Sequence, residues 1–373
     1  MVKNRWLISP ITDMLLVGGI LPWIFGGLLG YLSLQNRELN PIAGNANNAL
    51  SYLFITASLL IGESHQFTSI IRLAQHVTQK EWLKENIIKI GALVLLLILA
   101  FTCALIQAPG NTALELTNFG LVAIVSIFPL VLVHHICIQA KAIGLIYCSK
   151  QDYKLTEDES TILAVSCFLL VAAGAVNIAA PLEMGSGVAN SIWNVSSVFK
   201  KLINTAALLS VLTFAFFVVN RGEKRGEWLP LGAGLMWTNL AIWILLPLKE
   251  LQLVWLFVPL FYHATQHWVI AWITHNAENQ PSSASFCDKL FNLVAPVLVF
   301  SLTVLFLPTL FLGFSGTLGA AFSIIVFYVH YIADGIVWRS KQVRTQKASL
   351  NYDRVQVCPL TFTTWRSGNT LGP

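Results

Sequence analysis

Apolar runs of about 20 residues, rich in Leu, Ile, Val, Phe and Trp and divided by short polar segments, recur along the chain. About 20 residues of α-helix span the roughly 30 Å of hydrocarbon in a bilayer, and a helix satisfies its own backbone polar groups there. The runs therefore predict an all-α fold, a polytopic helical transmembrane bundle. Only 11% of the 373 residues are charged, against roughly 25% in a soluble domain, and the mean hydropathy is +0.68. A soluble globular domain, a long disordered tail, a nucleic-acid domain and a secreted disulfide scaffold are all excluded on these grounds. Ten spans are predicted, at about 11–34, 49–71, 88–108, 116–140, 160–181, 202–220, 228–248, 251–276, 290–313 and 317–338. They make one transmembrane domain over 1–338, followed by a polar, basic tail over 339–373 that contains Pro359, Gly368 and Pro373. The segment 182–201, with Gly185, Gly187, Asn190, Trp193 and Asn194, reads as a re-entrant or interfacial piece.

The basic residues set the orientation. With ten spans and a cytoplasmic N-terminus, only Arg37, Lys200, Lys201 and Lys249 of the 23 Lys and Arg fall outside. The rest lie in cytoplasmic segments, as the positive-inside rule requires, and both termini are then cytoplasmic. The formal net charge of +5 is thus a topology signal in short loops and implies no nucleic-acid partner. Lys3 and Arg5 precede an apolar stretch, Ile11 to Leu34, that exceeds the roughly 7–15 residues of a signal-peptide core, so an uncleaved first span is expected. The six cysteines, Cys103, Cys137, Cys148, Cys167, Cys287 and Cys358, include no CxxC pair, which predicts neither a structural zinc site nor a disulfide framework. Most of the 12 tryptophans and 8 tyrosines are expected as interfacial anchors, among them Trp23, Trp82, Trp228 and Trp338. Asp13 and Glu183 are placed near interfaces with no function assigned.

In this topology all eight histidines fall on even-numbered spans or just beyond their cytoplasmic ends. His65 and His76 belong to span 2, His134 and His135 to span 4, His263, His267 and His275 to span 8, and His330 to span 10. Ionisable side chains at membrane depth are costly and normally face the bundle interior at a site. His263 and His267 are i,i+4 neighbours, with Cβ atoms about 5–6 Å apart on one helix face, so both rings can reach one metal ion. His330 and Asp334 repeat that spacing with a carboxylate, which serves either as a ligand or as the group that holds the imidazole tautomer. His134 and His135 are adjacent, so one of the two points to the shared interior. Gln139, at i+4 from His135, slightly favours His135. His76 and His275, near the water interface, are expected to make hydrogen-bonded contacts only. The candidate metal ligands are therefore His65, His134 or His135, His263, His267 and His330, and the candidate catalytic pair is His330 and Asp334.

Four segments carry a resemblance. GESHQFTSIIRL, LVHHICIQA, FYHATQHWVIAW and YVHYIADGIVW resemble, in the same order, the histidine motifs of the membrane β-carotene 15,15'-dioxygenases of the Brp/Blh type. The resemblance places His65, one of His134 and His135, the pair His263 and His267, and His330 with Asp334. It implies a non-haem iron held by histidines within a helical bundle, cleaving a polyene with dioxygen. Ser69 stands where the family has an Asp four residues after its first His, and Ser64 where it has Pro. The Asp after the second motif is missing, and the chain is longer and has more spans than typical members.

Imidazole and carboxylate ligands suit iron, copper or zinc, and three or four histidines with open positions suit Fe(II) and dioxygen. The expected function is that of a membrane metalloprotein, a non-haem iron oxygenase acting on an apolar, carotenoid- or lipid-like substrate. Its partners would be the bilayer, that small molecule and dioxygen, in a plasma or inner membrane with the metal toward the cytoplasmic half. No HxxHH box occurs, which counts against the membrane desaturases and hydroxylases. A haem-binding electron-transfer protein, another transition metal, a transporter or proton relay, and a metal-inserting assembly factor are the alternatives.

Overall fold

A computed structural model describes residues 6–24, 64–69, 87–88, 91–92, 95, 114–179, 195–246, 252–279, 294–295 and 326–335. The tail over 339–373, the segment 180–194 and most of predicted spans 2, 3, 9 and 10 lie outside the described residues. Five long helices are present among the described residues, and no strand. They are α1 (Leu114–Lys150), α2 (Glu157–Ala179), α3 (Ser197–Arg225), α4 (Leu231–Leu245) and α5 (Gln252–Asn279). Shorter helical stretches cover 64–69 and 326–335. Among the described residues, three segments are long and apolar enough to cross a membrane: Ile127–Lys150, Glu157–Asn177 and Ser197–Arg225.

Helix α1 runs past the predicted end of span 4 because its apolar stripe does not stop at residue 140. Leu132, Ile136, Ala140, Ile143 and Tyr147 recur at three- and four-residue steps and are all buried, so Lys141 falls on another face without interrupting the helix. The chain turns at Asp152, in a left-handed conformation (φ 56°). Helix α2 begins with a capping box: the Glu159 amide donates to Thr156 Oγ1 (3.2 Å), and the Thr156 amide donates to Glu159 Oε2 (2.8 Å). Helix α3 starts at Ser196, whose hydroxyl accepts from the Phe199 amide. It ends at Gly226, whose φ of 69° is open to glycine at little cost.

The α1–α2 loop and the C-terminal end of α3 lie at the same end of the bundle. Arg221 on α3 donates to Glu159 (2.8 Å), to the Lys154 carbonyl (2.7 Å) and to Glu227 (Nε, 2.7 Å), and its guanidinium sits 4.4 Å above the Tyr153 ring. Burial, with the Glu159 carboxylate beside it, pushes the Tyr153 phenol up to about 12. At the other end Asn177 on α2 and Asn204 on α3 exchange amide hydrogen bonds, and Asn177 also donates to the Ile244 carbonyl of α4.

Small residues bring these helices together, as in membrane bundles. A Cβ on Gly174 of α2 would lie 2.6 Å from Val133 of α1, and one on Gly232 of α4 would lie 2.6 Å from the Tyr147 ring. Helix α3 is apolar on both sides, yet only Ala207, Phe214, Val218 and Gly222 are buried. Its opposite face leaves Leu202, Leu209, Leu212 and Phe216 more than half exposed. Cys137, Cys148 and Cys167 are buried free thiols.

The predicted first span is not a plain helix where it is described. Pro10–Thr12 leads into a π-helical turn, Asp13–Val17, and the chain breaks at Gly18 and Gly19, the latter with a φ of 85°. The carbonyls released by the break are met by side chains: Asn239 of α4 donates to Gly18, and Thr265 and Gln266 of α5 donate to Leu16 (3.0 Å) and Val17 (3.3 Å). Asp13, expected near an interface, is buried and accepts from the Leu7 and Ile8 amides and from Tyr147. Trp23, expected as an interfacial anchor, stacks on Trp243 at 4.2 Å and donates to Asn239.

Candidate metal centre

The break and its caps fix the register of α5. With Thr265 and Gln266 turned to the N-terminal segment, His263 and His267 project from the same helix toward other elements. Gln139 of α1 donates its amide to the His263 carbonyl (3.0 Å), which ties α1 to α5 one turn from His135.

Four segments bring their imidazoles to one place: 64–69 supplies His65, α1 His135, α5 His263 and His267, and 326–335 His330. All five are buried. His65 lies 4.9 Å from His263, 5.3 Å from His267 and 4.8 Å from His330 between ring centroids. His135 lies 4.5 Å from His263 and 4.9 Å from His330. These rings come from positions up to 265 residues apart in the chain, and burying so many polar rings together is costly unless their nitrogens are used.

Two ligand sets emerge. His65, His263 and His330 can each offer a nitrogen within 4.8 Å of the others, and so can His135 and His330 with an oxygen of Asp334. His330 belongs to both. His267 stands apart from His263: their ring centroids are 6.4 Å apart, and His267 Nε2 lies 2.6 Å from Thr68 Oγ1 and 3.4 Å from Ser69 Oγ. The i,i+4 pair therefore straddles the cluster.

Asp334 is the acidic partner of the rings. Ser69 donates to its Oδ1. Its Oδ2 lies 3.7 Å from each of His135 Nε2, His267 Nδ1 and His330 Nε2. That separation is too long for a hydrogen bond but within reach of two ligands of one ion held at about 2.0–2.2 Å. Neither ring nitrogen of His263 has a hydrogen-bond partner, although the ring is 1% exposed. A buried imidazole with both nitrogens unused is an expense that a bound cation removes.

His134 is not in the cluster. Its Nδ1 meets the Tyr331 hydroxyl at 2.9 Å, because the residue after it, His135, takes the inward face. His76 and the side chain of His275 lie outside the described residues. Thr68 and Tyr331 drew no notice in the sequence. For Thr68 the signal was its place one turn after His65; nothing local marked Tyr331.

No protein-family model, curated protein or solved structure matches the chain. What the site can do is therefore read from its own donor set. Buried histidines with one carboxylate can hold a transition-metal ion. Ser69, by occupying Asp334 Oδ1, leaves Oδ2 turned to the rings, which is the role of an outer hydrogen bond that aims a ligand.

Proposed function

We propose that this chain is an integral membrane metalloprotein, a ten-span bundle with cytoplasmic termini, that works as a non-haem iron oxygenase on an apolar, carotenoid- or lipid-like substrate. The observation that carries the metal is His263, buried with both nitrogens unpartnered among four other imidazoles. His65, His135, His263 and His330, with Asp334 and His267 beside them, would hold the ion. Bound Fe(II) would supply the activation of dioxygen.

The chain's own residues would do the rest. Ser69 orients Asp334, Gln139 fixes the backbone at His263, and the enclosing helices keep bulk water from the ring cluster. The apolar face of α3 supports the membrane setting, since a soluble monomer rarely exposes a contiguous apolar patch so large, while lipid tails accept it. Within a bilayer an apolar substrate and dioxygen would both arrive from the hydrocarbon. The order of the four histidine segments, similar to that of the Brp/Blh-type dioxygenases, supports a polyene as substrate. The basic loops support a centre in the cytoplasmic half of a plasma or inner membrane.

Haem fits less well, because His135 Nε2 and His330 Nε2 lie only 3.0 Å apart, too close to stand on opposite sides of one haem iron. Elemental analysis and an optical spectrum of the same detergent-purified sample test the proposal. About one iron per chain with no Soret band is expected for such a donor set. A Soret band would establish haem instead, and protein without any transition metal would overturn the metal site.

A further inference from the structure

The hydroxyls around His267 decide which of its nitrogens carries the proton. Thr68 Oγ1 lies 2.6 Å from the His65 carbonyl oxygen and 2.6 Å from His267 Nε2. A carbonyl has no proton, so the contact with His65 is made by the Thr68 hydroxyl donating its only hydrogen. Toward His267 the same oxygen has only lone pairs left, and a contact of 2.6 Å requires His267 to donate. Ser69 agrees independently. Its proton goes to the Asp334 carboxylate, so its oxygen, 3.4 Å from the same Nε2, can likewise only accept.

We infer that Thr68 is a positioning residue that holds His267 with its proton on Nε2, so that His267 presents Nδ1 to the metal centre. That nitrogen is the one lying 3.7 Å from Asp334 Oδ2. The distance exceeds a hydrogen bond and suits two ligands of one ion held at about 2.0–2.2 Å. The metal part of this inference rests on the proposed function; the tautomer does not. It also gives the i,i+4 pair two different tasks, with His263 in the ligand set of His65 and His330, and His267 steered by hydroxyls from the 64–69 segment.

The test uses full-length, metal-stripped protein labelled with 15N-histidine, with His267→Gln identifying the His267 signals. In the parent and in Thr68→Ser, Nε2 is expected to be protonated and Nδ1 not; in Thr68→Val the two tautomers should mix. Adding Zn(II) should move the Nδ1 signal while Nε2 keeps its proton. Thr68→Val should weaken zinc binding about ten-fold or more, and Thr68→Ser should restore it. An unprotonated Nε2 in the parent, a doubly protonated ring, or a zinc shift at Nε2 would overturn the inference. If zinc moved no histidine while Nε2 stayed protonated, the tautomer would stand and the metal reading would fall.

Discussion

His135 Nε2 and His330 Nε2 lie 3.0 Å apart, although 195 residues separate them in the chain. Two nitrogens bound at about 2.0–2.1 Å to one ion, at a right angle, are also about 3 Å apart. Without an ion, one of the two must donate a proton to the other. The pair is therefore where metal loading should be most visible.

His135→Ala should lower bound metal at least about ten-fold, and the double variant His263→Ala with His267→Ala should do so more severely. His134→Ala, beside Tyr331 and outside the ring cluster, should keep the parent's metal content. Elemental analysis of purified protein reads all three. Equal metal in the parent and the double variant would sink the site.

Asp334→Asn should weaken metal binding more than Ser69→Ala. The first removes the charge that faces three imidazole nitrogens; the second only frees the carboxylate to turn. Titration with Co(II) should show losses of roughly 10–100-fold and a smaller loss respectively. If Ser69→Ala cost as much as Asp334→Asn, Ser69 would have to act on the ion itself.

Glu159→Ala should destabilise the protein by about 3 kcal/mol, because Glu159 is buried and its loss removes both the carboxylate paired with Arg221 and the reciprocal cap of α2. Glu227→Ala, at a half-exposed carboxylate, should cost under about 1 kcal/mol. Thermal unfolding in detergent measures both, and metal content should not change. The reverse ranking would remove the clamp from the account of how α2 and α3 are held.

Gly144→Leu should abolish or sharply reduce folded yield. A Cβ there meets the Trp237 ring directly, and Trp237 is itself buried and packed edge-to-face on Phe214. Size-exclusion chromatography of detergent extracts gives the readout. A monodisperse Gly144→Leu variant at the parent's yield would contradict the packing between α1 and α4.

Cysteine placed at Lys154 and at Lys224 should label from the same side of the membrane, since Arg221 bonds the Lys154 carbonyl. Labelling with an impermeant maleimide on cells and on inverted vesicles should find that side cytoplasmic. Labelling of the two positions from opposite sides would break the topology.

The histidine motifs were legible in the sequence because four-residue spacing on a helix is a local property, and so was the helical class, because apolar run length is local too. The boundaries of α1 were less so: Lys141 looks like an end until Ile143 and Tyr147 are found buried on the same stripe as Ile136. The break at Gly18 and Gly19 was hidden, since its carbonyls are satisfied by Asn239, Thr265 and Gln266 from far along the chain.

By itself, then, the sequence determined that the chain is built of apolar helices and that His65, His263, His267, His330 and Asp334 are candidates for one centre. Only the tertiary structure decided between His134 and His135, separated His267 from His263, and made Ser69 the partner of Asp334. The physical reason is that periodicity specifies a face of one helix. Which faces meet, and at what rotation, depends on how Gly174 and Gly232 let the helices approach and on which side chains cap the broken N-terminal segment.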